Sequence, residues 1–556
     1  MANGLDTLNL PRTIEDAITI CKGLKRRYLW VDRFCIQQDS EQDKRQQIDA
    51  MASIYSSAEF TIINSSGTDM YSPIPGATEK RNAFQANMVT GGVEVTNTYP
   101  NFNVALKNST WGKRGWTHEE AVLSTRKLFF TPFEVWFECK SPHAPYAQED
   151  GYGLPRNPES QPRFFLRSPS STLSDFENFD GHLAEYTSRS LSNQSDILNA
   201  FSGILTSLYP GHRCLYGLPE PDFDRAMLWF WGTRDRLIPG REIFPSWSWT
   251  SVMGQVTYRH KYVSIPARNF MGPLVKWAYK DRDGNLKTVR SFNGLVARSD
   301  HDSSSLTPIK SPQVHLLIAW FADCIESAPP DDLKRVLEDA PEDMSRVVNR
   351  WPSVAEVWDA INNARNSRPS KVQGLDMGLK IEDQSLINRL RPGVLITRAQ
   401  TAFFYENLDD KCISKSPNQD PRQMNIVDSE NRSVGAIFHI ASNPRDGNAN
   451  STGSNAPRRC FELMAISLSS NLLLDSIFYS HPHTRDPRHD SYRDIPAIIG
   501  ALFPGIRSTD PQGPAVNVLV IEWAAGSPFA RRTGVGLVNP EDWIYAKRSF
   551  KTIGLE

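Results

Sequence analysis

Apolar positions along the first 64 residues switch between helical and strand spacing. Ile14, Ala17, Ile18 and Cys21 share one face of a helix predicted over residues 13–23, with Thr13 placed to cap it and Gly23 to stop it. The run Tyr28-Leu-Trp-Val31 predicts a buried strand over residues 28–34 that carries Asp32 to a sheet edge. Ile48, Met51, Ala52 and Tyr55 renew the helical period over residues 42–55, and Phe60-Thr-Ile-Ile63 predicts the next strand. Helix, strand, helix and strand in such short order predict parallel strands joined by crossover helices, a doubly wound α/β unit. Ligands of such sheets bind beyond the carboxyl ends of the strands, which makes residues 32–38 and 64–69 candidate binding positions.

Further along, Thr117 and Glu120 have the spacing of a capping box, so a helix is expected to start at His118. Leu128-Phe-Phe130 and Val135-Trp-Phe-Glu-Cys139 predict a hairpin turning at Pro132. Residues 1–140 are therefore expected to form the α/β domain, and residues 141–181, rich in Pro, Ser, Asn and Gly, a linker or insertion. A helical region is expected over residues 182–255, with helices over 196–205 (started by Ser195 or Asp196) and 223–230 and a short strand over 244–249 whose indoles fill a core. Residues 256–556 read as a mixed α+β, β-rich region. Its strands are expected at 314–321, 394–397, 435–440, 461–468 and 516–523, its helix at 354–364, and its polar loops at 415–433 and 442–459. Gly534 and Gly536 lack the third glycine of a dinucleotide fingerprint and read as a bend in a C-terminal strand.

Composition narrows the functional classes. A chain of 556 residues with 62 Lys+Arg against 63 Asp+Glu has no net field to draw it to nucleic acid or an anionic membrane. No apolar run approaches the about 20 residues needed to span a bilayer, and no secretory leader is visible after Met1. Seven scattered cysteines without a Cys-x-x-Cys pair argue against a disulfide framework or zinc ribbon, so a reducing, cytoplasmic setting is expected. Cys35 has no base identifiable near it and reads as a buried structural thiol. His481, His483 and His489, broken by proline and charge, read as a loop rather than a metal site.

Four segments together resemble the fungal heterokaryon incompatibility (HET) domain family. They are Leu10-Pro-Arg-Thr-Ile-Glu-Asp-Ala17, Leu29-Trp-Val-Asp-Arg-Phe-Cys-Ile-Gln-Gln38, Met51-Ala-Ser-Ile-Tyr-Ser-Ser-Ala58 and Arg114-Gly-Trp-Thr-His-Glu-Glu120. The likeness covers residues 10–140 and continues more loosely to about 255 through Ser188-Arg-Ser-Leu191 and Pro245-Ser-Trp-Ser-Trp249. Two features depart from the family. Its opening Leu-Ser-Tyr-x-Trp-Gly segment does not precede Leu10, so the sheet is expected to lack its first strand, and the family's Gln-Glu is Glu119-Glu120 here. The resemblance implies non-self recognition and programmed cell death in fungi, with other proteins or a second copy as partners. It also implies a distant likeness to Toll/interleukin-receptor (TIR) domains, some of which hydrolyse NAD through a glutamate. By that likeness the fold is an incomplete TIR-like parallel sheet. Glu120 is the candidate catalytic carboxylate, unless it serves the capping box alone, and Asp32, Arg114 and Gln38 are candidate ligand-binding residues, unless Asp32 serves to accept backbone amides of the turn that follows it. Arg114 either binds a phosphate or pairs with Glu119 or Glu120. NAD enters as a substrate; no bound cofactor and no metal is expected.

Overall fold

The computed structural model describes residues 10–81, 87–96, 100–140, 146–148, 174–231, 240–258, 270–290, 383–407, 423–439, 458–470, 514–538, 542–543 and 546–556. They divide into two compact units, residues 1–211 and 212–556.

In the first unit, α1 (Arg12–Gly23) and α3 (Glu41–Ser57) lie where the apolar period places them. Ser40 caps α3 by accepting from the Asp43 N–H. Pro11, not Thr13, stands at the cap of α1, and the Thr13 hydroxyl donates to the Ser72 carbonyl (2.5 Å). The predicted strand over 28–34 is corrected: Val31 has extended backbone, but Asp32–Cys35 folds as a short helix, α2. The N–H groups of Phe34 and Cys35 turn back to the Val31 carbonyl, and residues 28–31 join no ladder among the described strands. An apolar run gives extended backbone, but a strand also needs a neighbour to hydrogen-bond; here Tyr28 is 85% exposed.

The sheet of this unit runs β1 (Thr61–Asn64), β4 (Arg126–Phe130), β5 (Val135–Cys139), β6 (Tyr146–Gln148), and a separate hairpin pairs β2 (Asn87–Thr90) with β3 (Val93–Thr96). β1 and β4 are parallel, with Ile63 opposite Phe129, and the crossover between them contains α4 (Phe102–Asn108), α5 (Thr110–Lys113) and α6 (Trp116–Leu123). β4, β5 and β6 are antiparallel, so this is a mixed sheet with one parallel pair among the described strands. Ile63, Phe102, Leu106, Trp111, Ala121, Phe129 and Trp136 form its core, with Phe102 stacked on Trp136 at 4.8 Å. The buried Lys127 ammonium pairs with Glu138 at 2.9 Å and donates to the Ala121 carbonyl, tying the hairpin to the end of α6.

Two described stretches fall inside the segment expected to be a linker. β6 extends the sheet, and α7 (Asp175–Thr187) begins at a full capping box between Ser174 and Glu177. After α7, a 3-10 turn over Gln194–Ile197 is capped by Asn193 rather than by Ser195 or Asp196, and α8 (Asn199–Leu208) follows.

The second unit is β-rich, as the pattern predicts. Short ladders join β7 (Cys214–Leu215) to β8 (Leu218–Pro219) and β9 (Phe230–Trp231) to β10 (Val256–Thr257). The helix expected over 223–230 is only α9 (Phe223–Ala226), because the chain enters β9 at Phe230. A ten-stranded sheet contains β11 (Phe270–Pro273), β12 (Ala278–Lys280), β13 (Leu286–Thr288), β14 (Leu395–Glu406), β15 (Gln423–Val427), β16 (Ser433–His439), β17 (Cys460–Ser470), β18 (Pro514–Trp523), β19 (Ala530–Val538) and β20 (Arg548–Leu555). α10 (Gln384–Arg389) precedes β14. The antiparallel pairings β14 to β17, β17 to β18, β18 to β19, β19 to β16, β16 to β15 and β15 back to β14 form a closed ring, which leaves these strands no long free edge. Gly435 and Gly536 sit where the ladder is tightest: a Cβ on either would meet the Leu537 or Ala436 carbonyl at 2.1 or 2.5 Å. β15 occupies part of the expected polar loop 415–433. The expected strand at 314–321, the helix at 354–364 and the three loop histidines lie outside the described residues.

The strand expected over 244–249 is a turn that ends in a 3-10 segment, Trp249–Ser251, since the Ser248 hydroxyl caps the Thr250 N–H. Its indoles do fill the core. Trp247 donates to the Gly393 carbonyl, Trp249 to that of Gly217, and Trp229 to that of Trp247, all at 2.9 Å. No helix among the described residues is long and apolar enough to cross a membrane.

Candidate functional site

The start of α6 gathers the candidate chemistry of the first unit. Ser109 caps α5 by accepting from Gly112, and a Cβ on Gly112 would strike the Leu106 carbonyl at 2.1 Å, so the chain turns tightly here. The turn after α5 is held by a two-residue bridge: Ser190 N–H donates to the Lys113 carbonyl and Gly115 N–H to the Ser190 carbonyl, both at 2.7 Å.

The capping box expected between Thr117 and Glu120 does not form. Gly115 stands at the N-cap, and the Thr117 hydroxyl lies 2.6 and 2.7 Å from the carbonyls of Trp111 and Arg114. With Thr117 turned to the preceding loop, the Glu120 carboxylate accepts the Trp111 indole N–H at 3.4 Å. Glu120 is half-buried. Burial raises its pKa to about 7; the Trp111 N–H and the charges of Arg114 and Arg189 oppose the rise, and Asp32 adds to it.

Asp32, at the start of α2, and Arg114 are both exposed, and both act electrostatically on Glu120 and on Tyr55 of α3. Asp32 and Arg114 thus lie within electrostatic reach of Glu120. Arg114 makes no ion pair among the described residues. Gln38 does not join them: its exposed amide donates to the carbonyls of Asp32 (3.3 Å) and Ile36 (3.1 Å), closing its own loop. Cys35 is exposed rather than buried, its sulfur accepting from the Val31 N–H at 3.4 Å, because it lies on α2 and not at the end of a buried strand.

Three neighbours were not picked out as site residues in the sequence. Tyr55 is half-buried, and its pKa is pushed up by burial and by Glu120, Glu119 and Asp32. Trp111, besides its bond to Glu120, lies beneath the Arg189 guanidinium, 5.7 Å from its ring centroid. The Arg189 side chain is 2% exposed and donates to Glu185 at 3.3 Å and to the Thr117 hydroxyl at 3.1 Å. The Ser188-Arg-Ser-Leu191 resemblance was the available signal for it.

Behind the site lies a second acidic group. Glu119 is 2% exposed, and burial raises its pKa to about 7, opposed by the Gly203 backbone N–H. A Cβ on Gly203 would meet Glu119 Oε1 at 2.0 Å and the Ala52 methyl at 2.7 Å, so this glycine lets α8 close on α6 and α3. Next to it, burial with Arg189 and His182 holds His118 well below the ordinary histidine range, leaving its imidazole neutral at pH 7.

All of Asp32, Arg114 and Glu120 fall within one matched segment. Residues 2–120 match the heterokaryon incompatibility protein (HET) family model. No curated protein and no solved structure matches the chain. The HET-matching segment ends at Glu120, so Arg189, which lies over the Trp111 partner of that glutamate, and α8, which closes on Glu119, come from beyond it.

A carboxyl group with a pKa near neutrality can both hold and release a proton at working pH. Beside it, Arg114 offers a cation to an anionic group and Asp32 an acceptor to a hydroxyl.

Proposed function

We propose that this chain is a heterokaryon incompatibility-type recognition protein, acting in non-self recognition and programmed cell death signalling in fungal cells, with the first unit as its signalling module. The match of residues 2–120 to the HET family model carries this reading. Protein partners, an incompatibility partner or a second copy, are supported by the hairpin of β2 and β3, which shows Met88, Val89, Val93 and Val95 to solvent at 47–71% exposure. The test is inducible expression of the full chain in a filamentous fungal host. Growth arrest with vital-dye uptake is expected on induction, and growth indistinguishable from the empty vector would overturn the reading.

A second reading, NAD cleavage by a TIR-like mechanism, is favoured by one observation: Glu120 is free of the capping role and stands in a cluster with Asp32 and Arg114. In this reading Glu120 acts at the ribose, while Arg114 holds the pyrophosphate and Asp32 a ribose hydroxyl. Incubating the purified chain with NAD is expected to release nicotinamide, and Glu120→Ala to abolish the release. No release from the wild-type chain, or release unchanged in the variant, rejects it.

A further inference from the structure

The segment after α7 makes an unusual contact with the turn before α6. Arg114 and Ser190 form an isolated parallel bridge, and its two 2.7 Å hydrogen bonds bring residue 189 over the loop that carries Trp111. The Arg189 guanidinium then faces the indole at 5.7 Å while one of its nitrogens donates to Thr117, the residue whose hydroxyl also reaches the Trp111 and Arg114 carbonyls. Glu185, one turn back on α7, holds the other side of the guanidinium. An arginine with only 2% of its side chain exposed, held over a ring and bonded to a hydroxyl and a carboxylate, has little freedom to leave. The indole it covers has one N–H, and that N–H is on Glu120.

We propose that Arg189 is a positioning residue for Glu120: it clamps Trp111 and the turn at residues 111–117, so that the indole N–H stays on the Glu120 carboxylate and a buried positive charge lies behind it. The functional weight of this assignment rests on the reading in which Glu120 is the acting carboxylate. The clamp itself is a matter of geometry and is measurable without turnover. The other groups facing Glu120 are Asp32 from α2, Tyr55 from α3 and Arg114 from the turn; of these, Arg114 bonds Trp111 through its backbone N–H, which donates to the Trp111 carbonyl at 3.3 Å, and leaves the indole N–H to Glu120.

The test is a carboxyl-carbon NMR titration of Glu120 in the full chain, assigned with Glu120→Gln, and comparing wild type with Arg189→Met, Arg189→Lys and Trp111→Phe. Arg189→Met is expected to move the Glu120 midpoint upward, since a cation that favours the carboxylate is lost, and to change Trp111 emission, read against Trp111→Phe. Trp111→Phe is expected to move the midpoint in the same direction by removing the N–H. Arg189→Lys, which keeps the charge without the planar fork, is expected to restore the midpoint in part but not the Trp111 emission. A folded Arg189→Met chain whose Glu120 midpoint and Trp111 emission equal those of wild type overturns the proposal. Should Arg189→Met not fold, Glu185→Gln, which loosens the same guanidinium from outside the site, must shift the Trp111 emission or the proposal fails. Nicotinamide release measured on the same samples judges the NAD reading separately, because the titration result stands whether or not NAD is cleaved.

Discussion

The largest buried side chains of the second unit and the adjacent glutamates of the first meet burial in different ways. In the second, large buried donors are matched to acceptors. The Trp229, Trp247 and Trp249 indoles each donate to a carbonyl, Trp277 donates to Asp224 and Trp543 to Gln400. Even its buried cation is satisfied: Arg532, 3% exposed, lies 3.7 Å over the Trp229 ring and donates to the carbonyls of Trp229, Trp247 and Gly534. Burial lowers the pKa of this guanidinium to about 9. In the first unit, by contrast, Glu119 and Glu120 stand side by side with both pKa values raised to about 7, and Glu119 Oε2 has no partner among the described residues. Satisfied burial makes a rigid framework, whereas strained, titratable burial is where a protein keeps chemistry. The contrast sets the titratable pair in the first unit apart from the hydrogen-bonded indoles and guanidinium of the second.

Four substitutions break or sharpen that contrast, the largest effect first. Trp247→Ala in the second unit removes a fully buried indole and its bond to Gly393, and is expected to cost about 3–5 kcal/mol in denaturant unfolding. Glu119→Gln is expected to act in the other direction and only at higher pH. Its folded pKa lies above the ordinary glutamate value of 4.5, so its contribution is present in full below about 4.5 and is lost as pH rises through about 7. That lost contribution is up to roughly 3 kcal/mol. The first unit of the wild-type chain should therefore melt lower at pH 8 than at pH 5, and Glu119→Gln should flatten that slope. Arg532→Met takes the guanidinium donor from the Trp229 carbonyl and leaves the Trp247 carbonyl with the Trp229 indole alone, and is expected to cost about 2 kcal/mol, insensitive to pH below 8. Asp32→Asn, at an exposed site, is expected to change stability by less than about 0.5 kcal/mol while lowering the Glu120 midpoint, since a repelling carboxylate is gone.

Legibility from the sequence follows the same division. α1, α3 and the β4 to β5 hairpin are readable because each has one buried face, and periodicity records that directly. The cores of β14, β16, β17 and β18 are readable for another reason: they are continuous apolar runs buried on both faces. Residues 28–31 show the limit: apolar pattern predicts extended backbone, but a ladder depends on what lies alongside. α7 was hidden by the Pro- and Ser-rich stretch before it, although Ser174 and Glu177 spell its cap. At the site, Arg114 and Glu120 are singled out by resemblance and Asp32 first by its place after an apolar run, although that run ends in α2 rather than in a strand; their mutual reach needed the fold. The choice between a capping box and a free carboxylate turned on which way the Thr117 hydroxyl points, and spacing carries no such information. Arg189 lies 69 residues beyond Glu120 and reaches it only through a bridge between two loops.

The most direct test of the central claim, that the function of the chain runs through the carboxyl group at the start of α6, is the growth of a fungal host expressing the full chain with Glu120 intact or replaced by Gln at matched protein levels. The wild-type chain should arrest growth and Glu120→Gln should not, although both fold. Equal arrest by the two chains would contradict the account.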